Sequence, residues 1–314
     1  MNRDRMLAQL QEQKREWDII VIGGGATGMG IAVDAASRGY KTLILEKGDF
    51  GQGTSSRSTK LVHGGVRYLQ QGNITLVLEA LRERGILMRN APHLVGDLPF
   101  VVPNYDWWEG PFYGIGLKIY DMMAGREGLG KSKWISKEKT IERIPTIETK
   151  GLDGGVIYYD GQFDDARLVI NLARTAEAQG AVLVNYMPVI RLIKQSEMIS
   201  GVVALDRETE KEYELTAKVV VNATGPFADG VRFLDDQTEQ PMIQPSQGVH
   251  LVLDREFLPG ETAIMVPHTA DGRVMFAIPW HNKVIIGTTD TAIETIEGEP
   301  IPMPEEIDFL LGHA

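Results

Sequence analysis

The run from Trp17 to Glu46 is ordered strand, glycine turn, helix, strand, acid, and that order constrains the fold more than anything else in the chain. Asp18 to Ile22 leads directly into Gly23-Gly24-Gly25-Ala26-Thr27-Gly28, a G-x-G-x-x-G in the context that a dinucleotide requires. Gly23 permits the tight turn, Gly25 lets backbone N–H groups reach a pyrophosphate, and Gly28 lets the helix pack close to the strand. The helix carries Gly28, Ile31, Ala32 and Ala35 on one face and ends at Arg38-Gly39. Thr42 to Leu45 is then a short buried strand with Glu46 at its carboxyl end. A carboxylate there accepts both hydroxyl hydrogens of an adenosine ribose and repels a 2′-phosphate.

Composition narrows the classes that remain. At 314 residues the chain has room for two domains. The net charge of −11 has the wrong sign for a phosphate-backbone binder, so nucleic acid is not an expected partner. No apolar run approaches the roughly 18 residues of a spanning helix. The most apolar patch, Pro111 to Ala124, is interrupted by Lys118 and Asp121 and reads as buried core of a cap, with a membrane-contact face as the second reading. The polar N-terminal stretch is helical in pattern and shows no export signal. There is no cysteine, which removes disulfides, thiolate metal sites, thiol nucleophiles and flavin enzymes that relay electrons through a dithiol. No metal site is expected.

Further along, Asn73 to Asn90 reads as an amphipathic helix stopped by Pro92, and Pro99 to Gly130 breaks into short pieces that suit a cap better than a sheet core. Asp164-Asp165 precedes a helix with Leu168, Val169, Leu172, Ala173 and Ala176 inward, best explained as an N-cap and a first-turn acid. Ala181 to Val184 follows as a strand. Gly201–Leu205 and Tyr213–Leu215 flank a charged turn, Asp206 to Glu212, and read as a solvated hairpin. Lys218 to Asn222 is a separate buried strand ending in Ala223-Thr224-Gly225. Antiparallel strands are expected at His250 to Leu253, Arg273 to Ile278 and Lys283 to Gly287. Pro304-Glu305-Glu306 starts a last helix with Ile307, Leu310 and Leu311 as its apolar face, and the sequence stops without a cap.

Gly51 to Gly65 gathers hydroxyls, a lysine, a histidine and paired glycines directly after the ribose acid. Such residues suit close contact with a pyrophosphate or an isoalloxazine edge, although a Ser/Gly-rich loop is the plainer alternative. Arg67 and Tyr68 follow, a guanidinium fork and a phenol fit for gripping phosphate; an arginine alone is more often a surface charge. His250 falls in a strand, where histidines are usually structural.

Together these segments resemble the FAD-dependent glycerol-3-phosphate dehydrogenase family, the quinone-linked flavoenzymes and their oxidase relatives. The matching stretches are IGGGATGMGIAVDAASRG, SSRSTKLVHGGVRYLQQG, LKIYDMMAG, YYDGQFDDARL, VNATGPFAD and DGRVMFAIPWHNKVIIGTTDT, in order over almost the whole chain. The resemblance implies an α/β fold: a Rossmann-like FAD-binding domain with an inserted, mostly antiparallel β-sheet substrate or cap domain, as in glutathione-reductase-like flavoproteins of the amino-acid-oxidase type. We expect residues 1–16 as a helical extension, 17–72 and 151–230 as the FAD domain, and 73–150 and 231–314 as the substrate domain. It implies FAD with Gly23, Gly25, Ala26, Thr27 and Gly28 at the pyrophosphate, Glu46 at the adenosine ribose and Lys47 beside it. Thr54, Ser55, Ser56, Ser58, Lys60, His63, Gly64 and Gly65 would lie against pyrophosphate and flavin. Val189 would bond the adenine through its backbone, and Ala223, Thr224 and Gly225 would pass beside the cofactor. Arg67 and Tyr68 match positions that grip the substrate phosphate, and His250 matches a histidine at the flavin face. Thr289 and Asp290 belong to a motif near the active site.

The implied reaction is oxidation of sn-glycerol 3-phosphate to dihydroxyacetone phosphate, with His250 as proton acceptor and a quinone, or alternatively oxygen, taking the electrons. The expected location is cytoplasmic, with a quinone route placing the protein peripherally on the membrane. The family carries a further segment, with substrate arginines and a Gly-Gly-Lys stretch, beyond the point where this sequence ends, so the chain reads as truncated. Two other readings stand beside this one: an amine or amino-acid oxidase on the same nucleotide domain, and a non-catalytic FAD- or NAD-binding fragment.

Overall fold

The strands expected to be buried pair in parallel. In a computed structural model of the protein, which describes residues 1–12, 16–70, 72–269 and 272–314 (the side chains of 11, 12, 67 and 70 excepted), Trp17–Ile22 lies between Thr42–Leu45 and Glu212–Asn222. Val182–Val184 extends the sheet beyond Thr42–Leu45, also in parallel. On the other side the chain turns back in an antiparallel meander, giving the order Val182–Val184, Thr42–Leu45, Trp17–Ile22, Glu212–Asn222, Met198–Leu205, Val189–Gln195. Trp17–Ile22 and Thr42–Leu45 are nearly continuous apolar runs because they are covered on both faces, whereas Lys218 to Asn222, expected as a buried strand, leaves Lys218, Val219 and Asn222 exposed. The helices Ala26–Ser37 and Asp165–Ala178 pack together beside this sheet, placing Met29, Ala32, Val169 and Ala173 in one core with Ile20, Leu43 and Ile44.

The chain divides into two units: Met1–Ser58, Asp165–Pro245 and Glu294–Gly298 in the first, and Thr59–Asp164, Ser246–Ile293 and Glu299–Ala314 in the second. These limits differ from those expected at 72, 150 and 230, and the reason is strand pairing. Leu61–Val62 pairs with Gly154–Phe163, so both flanking stretches belong to the second unit's sheet. Within the extension expected over 1–16, the described residues 1–12 are likewise no appendage. The helix Arg3–Glu12 inserts Met6 and Leu10 into the first core, and Arg3 donates to the buried Asp206 at 2.6 Å. Asp206 therefore anchors the turn that reads as a solvated charge cluster. The strands expected at Tyr213–Leu215 and Lys218–Asn222 are one continuous strand, Glu212–Asn222, whose first half pairs with the meander and second half with Trp17–Ile22.

The second unit is built on a long, mostly antiparallel sheet in the order His250–Asp254, Lys283–Gly287, Met275–Trp280, Ala263–Val266, Val95–Asn104, Gly154–Phe163, Leu61–Val62. Lys133–Ser136 pairs with the first part of Gly154–Phe163, and only the Ala263–Val266 to Val95–Asn104 contact is parallel. The expectation of a broken cap segment from Pro99 to Gly130 is corrected here. Val95–Asn104 is a central strand with Phe100, Val101 and Val102 fully buried, and Glu109–Ala124 is a continuous helix. Gly110 and Gly114 in it are packing residues: a Cβ at Gly114 would lie 2.4 Å from the Trp134 ring. One face of this helix, Tyr113, Leu117 and Tyr120, is buried, while Phe112, Ile115 and Met122 on the other are exposed, so the apolar patch is core on one side only. The last helix, Pro304–His313, buries Leu310 and the acid Glu306, whereas Leu311 faces outward, contrary to the expected apolar face. Among the described residues no helix is long and apolar enough to cross a membrane.

Candidate functional site

In the first unit the glycine turn is enforced sterically. Gly23 has φ +110° and donates its N–H to the Leu45 carbonyl, and a Cβ on it would lie 2.4 Å from the Ala223 oxygen. A Cβ on Gly28 would lie 1.9 Å from the Gly23 oxygen, so only glycine lets the helix start this near the strand. Gly25 is the extended residue before the helix Ala26–Ser37 and supplies no side-chain cap. Instead the Ser55 hydroxyl accepts the Ala26 N–H at 2.9 Å, leaving its own hydrogen to donate. Thr27 in the first turn is exposed. Glu46 sits at the end of Thr42–Leu45 and accepts from Gly24 N–H (2.6 Å) and Gly48 N–H (2.8 Å). Lys47 lies over the Phe227 ring at 3.3 Å, and desolvation there pulls its ammonium below its usual pKa.

The hydroxyl loop is held from outside itself. Thr54–Ser56 forms one 3-10 turn, and the Ser58 N–H and hydroxyl both donate to Asp165 (3.0 and 2.8 Å). Asp165, expected as a helix-start acid, is thus buried and pins the loop. Ala223 donates its N–H to Ile22, Thr224 donates its hydroxyl to Asn222, and Gly225 takes φ +57° to turn into the next helix. Val189 opens the edge strand opposite Ala204.

The second unit contains a cavity of about 210 Å³. Phe100, Tyr158 and Phe276 give it an aromatic wall, and Thr59, His63, Tyr68 and Asp160 add polar groups. Next to its Thr59 wall, the Thr59 hydroxyl meets His250 Nε2 at 2.9 Å. The His250 ring is pressed against Gly287, where a Cβ would lie 2.3 Å from it. Lys60 adopts φ +62° and accepts the Phe163 N–H through its carbonyl. In the bend that follows, Gly64 N–H donates to the Tyr120 hydroxyl at 2.7 Å, and Gly65, at φ +71°, donates to His63 Nδ1 at 3.2 Å. Arg67 lies in the short helix Val66–Gln70; its side chain is outside the described residues. Thr289 is buried, accepting Val249 N–H and donating to Glu306, while Asp290 is exposed.

Residues 18–314 match the family model described as FAD dependent oxidoreductase. This chain belongs to the FAD-dependent oxidoreductase family. The family member from mouse named mitochondrial glycerol-3-phosphate dehydrogenase is 46% identical over 97% of the chain, which covers 44% of that protein. The crystal structure of the glycerol-3-phosphate dehydrogenase from Bacillus halodurans with FAD superposes with a TM-score of 0.79 at 36% identity, covering 99% of the chain and 54% of that protein. L-proline dehydrogenase from P. horikoshii, at 18% identity, shares the fold alone (TM-score 0.72, 95% of the chain and 76% of that protein). The chain thus spans about half the length of the glycerol-3-phosphate dehydrogenases it matches.

The cofactor of this oxidoreductase family is FAD, and the first unit fits its dinucleotide half. A bend bare of side chains runs into a helix N-terminus, the pairing that suits a pyrophosphate. Glu46 ends the next strand, where a ribose would come. Sequence reading brought these groups together in register. It assigned no site role to Tyr120, Asp160, Arg84 or Glu306; the first two fall inside the family-like stretches LKIYDMMAG and YYDGQFDDARL, while Arg84 and Glu306 sit among other charged residues that mask them.

Proposed function

We propose that the whole protein oxidises sn-glycerol 3-phosphate to dihydroxyacetone phosphate, with FAD bound at the glycine turn and a quinone as final electron acceptor. The observation that carries this reading is the 46% identity to a glycerol-3-phosphate dehydrogenase over 97% of the chain. The arrangement around the second unit's cavity supports it. Arg67 and Tyr68 clamp the phosphate, which supplies binding energy remote from the reacting carbon and fixes its position. His250 takes the hydroxyl proton. With its hydrogen on Nε2 and donated to the Thr59 hydroxyl, the neutral ring keeps the Nδ1 lone pair to take that proton, and the same Nε2–H bond holds in the imidazolium. Bound FAD supplies the acceptor for the hydride that leaves the carbinol carbon. Val189, Ala223, Thr224 and Gly225 would border the cofactor, and the hydroxyls from Thr54 to Ser58, with Lys60, His63, Gly64 and Gly65, would hold its pyrophosphate and ring. The exposed Phe112, Ile115 and Met122 suit a peripheral contact with the membrane that holds the quinone.

The test is a visible spectrum of the purified FAD-loaded protein followed by anaerobic addition of glycerol 3-phosphate. Bleaching of the flavin band by glycerol 3-phosphate, and not by glycerol or by glycine, is the expected result. Bleaching by glycine instead would move the protein to the amino-acid oxidases, and a flavin inert to both would leave only a nucleotide-binding role.

A further inference from the structure

Inside the second unit a chain of buried polar groups ends on the bend at the cavity. Arg84, in the helix Ile74–Asn90, donates through Nη1 to Asp160 at 2.6 Å and through Nη2 to the Glu127 carbonyl at 2.9 Å. Asp160, in Gly154–Phe163, accepts the Tyr120 hydroxyl at 2.7 Å, and that hydroxyl accepts Gly64 N–H at 2.7 Å. Arg84, Asp160 and Tyr120 are each 1–2% exposed. Arg84 Nε is buried without a partner among the described residues.

This arrangement is an expensive way to fill a core. Apolar residues of like volume often serve a buried ion pair's place as well or better, so such a network is poor evidence of a gain in stability. What it does supply is direction. Burial, then the neighbouring Asp160 charge, holds the Tyr120 phenol well above its ordinary pKa, so it keeps its proton. Its one hydrogen is committed to Asp160, and its oxygen therefore faces Gly64 as an acceptor. There is no room for an alternative: a Cβ on Gly64 would lie 2.4 Å from that oxygen. The next peptide then turns so that Gly65 N–H reaches His63 Nδ1, which leaves the hydrogen of a neutral His63 ring on Nε2. His63, Gly65 and Tyr68 all line the cavity.

We propose that Tyr120, oriented by the Asp160–Arg84 pair, is a positioning residue that sets the His63–Gly65 bend and with it the polar wall of the cavity. Its catalytic consequence rests on the cavity being the substrate site of the oxidation proposed above. Tyr120→Phe in the FAD-loaded protein keeps the ring and removes the oxygen. By NMR, the Gly64 amide is expected to exchange about tenfold faster or more, the protection carried by one buried hydrogen bond, while Phe100 and Val101 in the central strand hold theirs. The His63 nitrogens should leave the single Nε2–H tautomer, and KM for glycerol 3-phosphate should rise more than kcat falls. Unchanged Gly64 exchange and His63 tautomer would overturn the inference, as would a change in both with KM unaltered. Leu81→Ala loosens the packing beside Gly64 and leaves the hydroxyl in place; if it reproduces the whole pattern, packing is the cause and the inference falls. Should Tyr120→Phe not fold, Arg84→Lys is read by the same measurements with the same expected pattern. If the parent protein is not bleached by glycerol 3-phosphate, the oxidation reading fails, and the exchange and tautomer measurements still decide the position of the bend.

Discussion

Two backbone N–H groups converge on the Glu46 carboxylate, one from the glycine turn and one from the following loop, so this side chain holds the bend whether or not a ribose is bound. Glu46→Ala leaves both donors without their acceptor, at about 1–3 kcal/mol for a buried group. Urea unfolding of the FAD-free protein should show a loss in that range, and flavin-fluorescence titration should show FAD affinity falling about tenfold or more. Equal FAD affinity in variant and parent would remove Glu46 from the nucleotide site. The position of this acid was legible because it depends on residues close in sequence: strand, turn and acid keep one register, although its bonds to Gly24 and Gly48 N–H were not foreseen. Asp165 was not, because its partner Ser58 lies 107 positions away and a helix-start acid needs no such partner to make sense. His250 gains its Thr59 contact across 191 positions, and only a family resemblance marked it in advance.

The helix Glu109–Ala124 shows how the same residues mislead as a pattern and make sense in packing. Gly110, Gly114 and Gly116 look like breaks, yet all three lie within one continuous helix, Gly110 and Gly114 on the face that meets Trp134. Gly114 meets the Trp134 ring and Gly116 meets nothing within 4 Å. Gly114→Ala should therefore destabilise by about 1–3 kcal/mol through overpacking. Gly116→Ala should be neutral or stabilising by up to about 1 kcal/mol, since alanine is the better helix former. Denaturant midpoints of the two variants decide this, and equal shifts would show that the ring contact does not govern the helix. Val95–Asn104 was hidden for a related reason. Pro99 and Pro103 argue against a central strand, but the parallel neighbour pairs only at Phe100 and Val101, so neither proline interrupts that register. Where periodicity was unbroken, as in the helix expected over Asn73 to Asn90, the structure gives Ile74–Asn90 with Asn73 as its cap, one residue later at the start and the same at the end.

Besides Asp165 and Asp160, each of the two units carries a buried carboxylate at a point where distant segments meet. Asp206 gathers Arg3, Glu208 N–H and Thr209 in the first; Glu306 gathers Met303 N–H, Thr289, Thr291 and Gln247 in the second. Burial alone would raise both pKa values, but the hydrogen bonds outweigh it and hold Asp206 below 3.8 and Glu306 below 4.5. A carboxylate depressed on folding contributes stability that is fully present above its unfolded pKa and is lost as pH falls through the folded one. The window therefore opens below about pH 4.5 and leaves neutral pH untouched. In melts from pH 7 to 3, Tm should lose this contribution only in the acid limb. Asp206→Asn and Glu306→Gln should each lower Tm at neutral pH yet flatten that limb, because the proton they would have bound no longer matters. The two effects should add, since the variants alter separate cores with no shared partner. A double variant with the parent's acid slope would mean that other carboxylates among the 43 acidic residues set the acid response, and that these two anchor geometry without reporting pH.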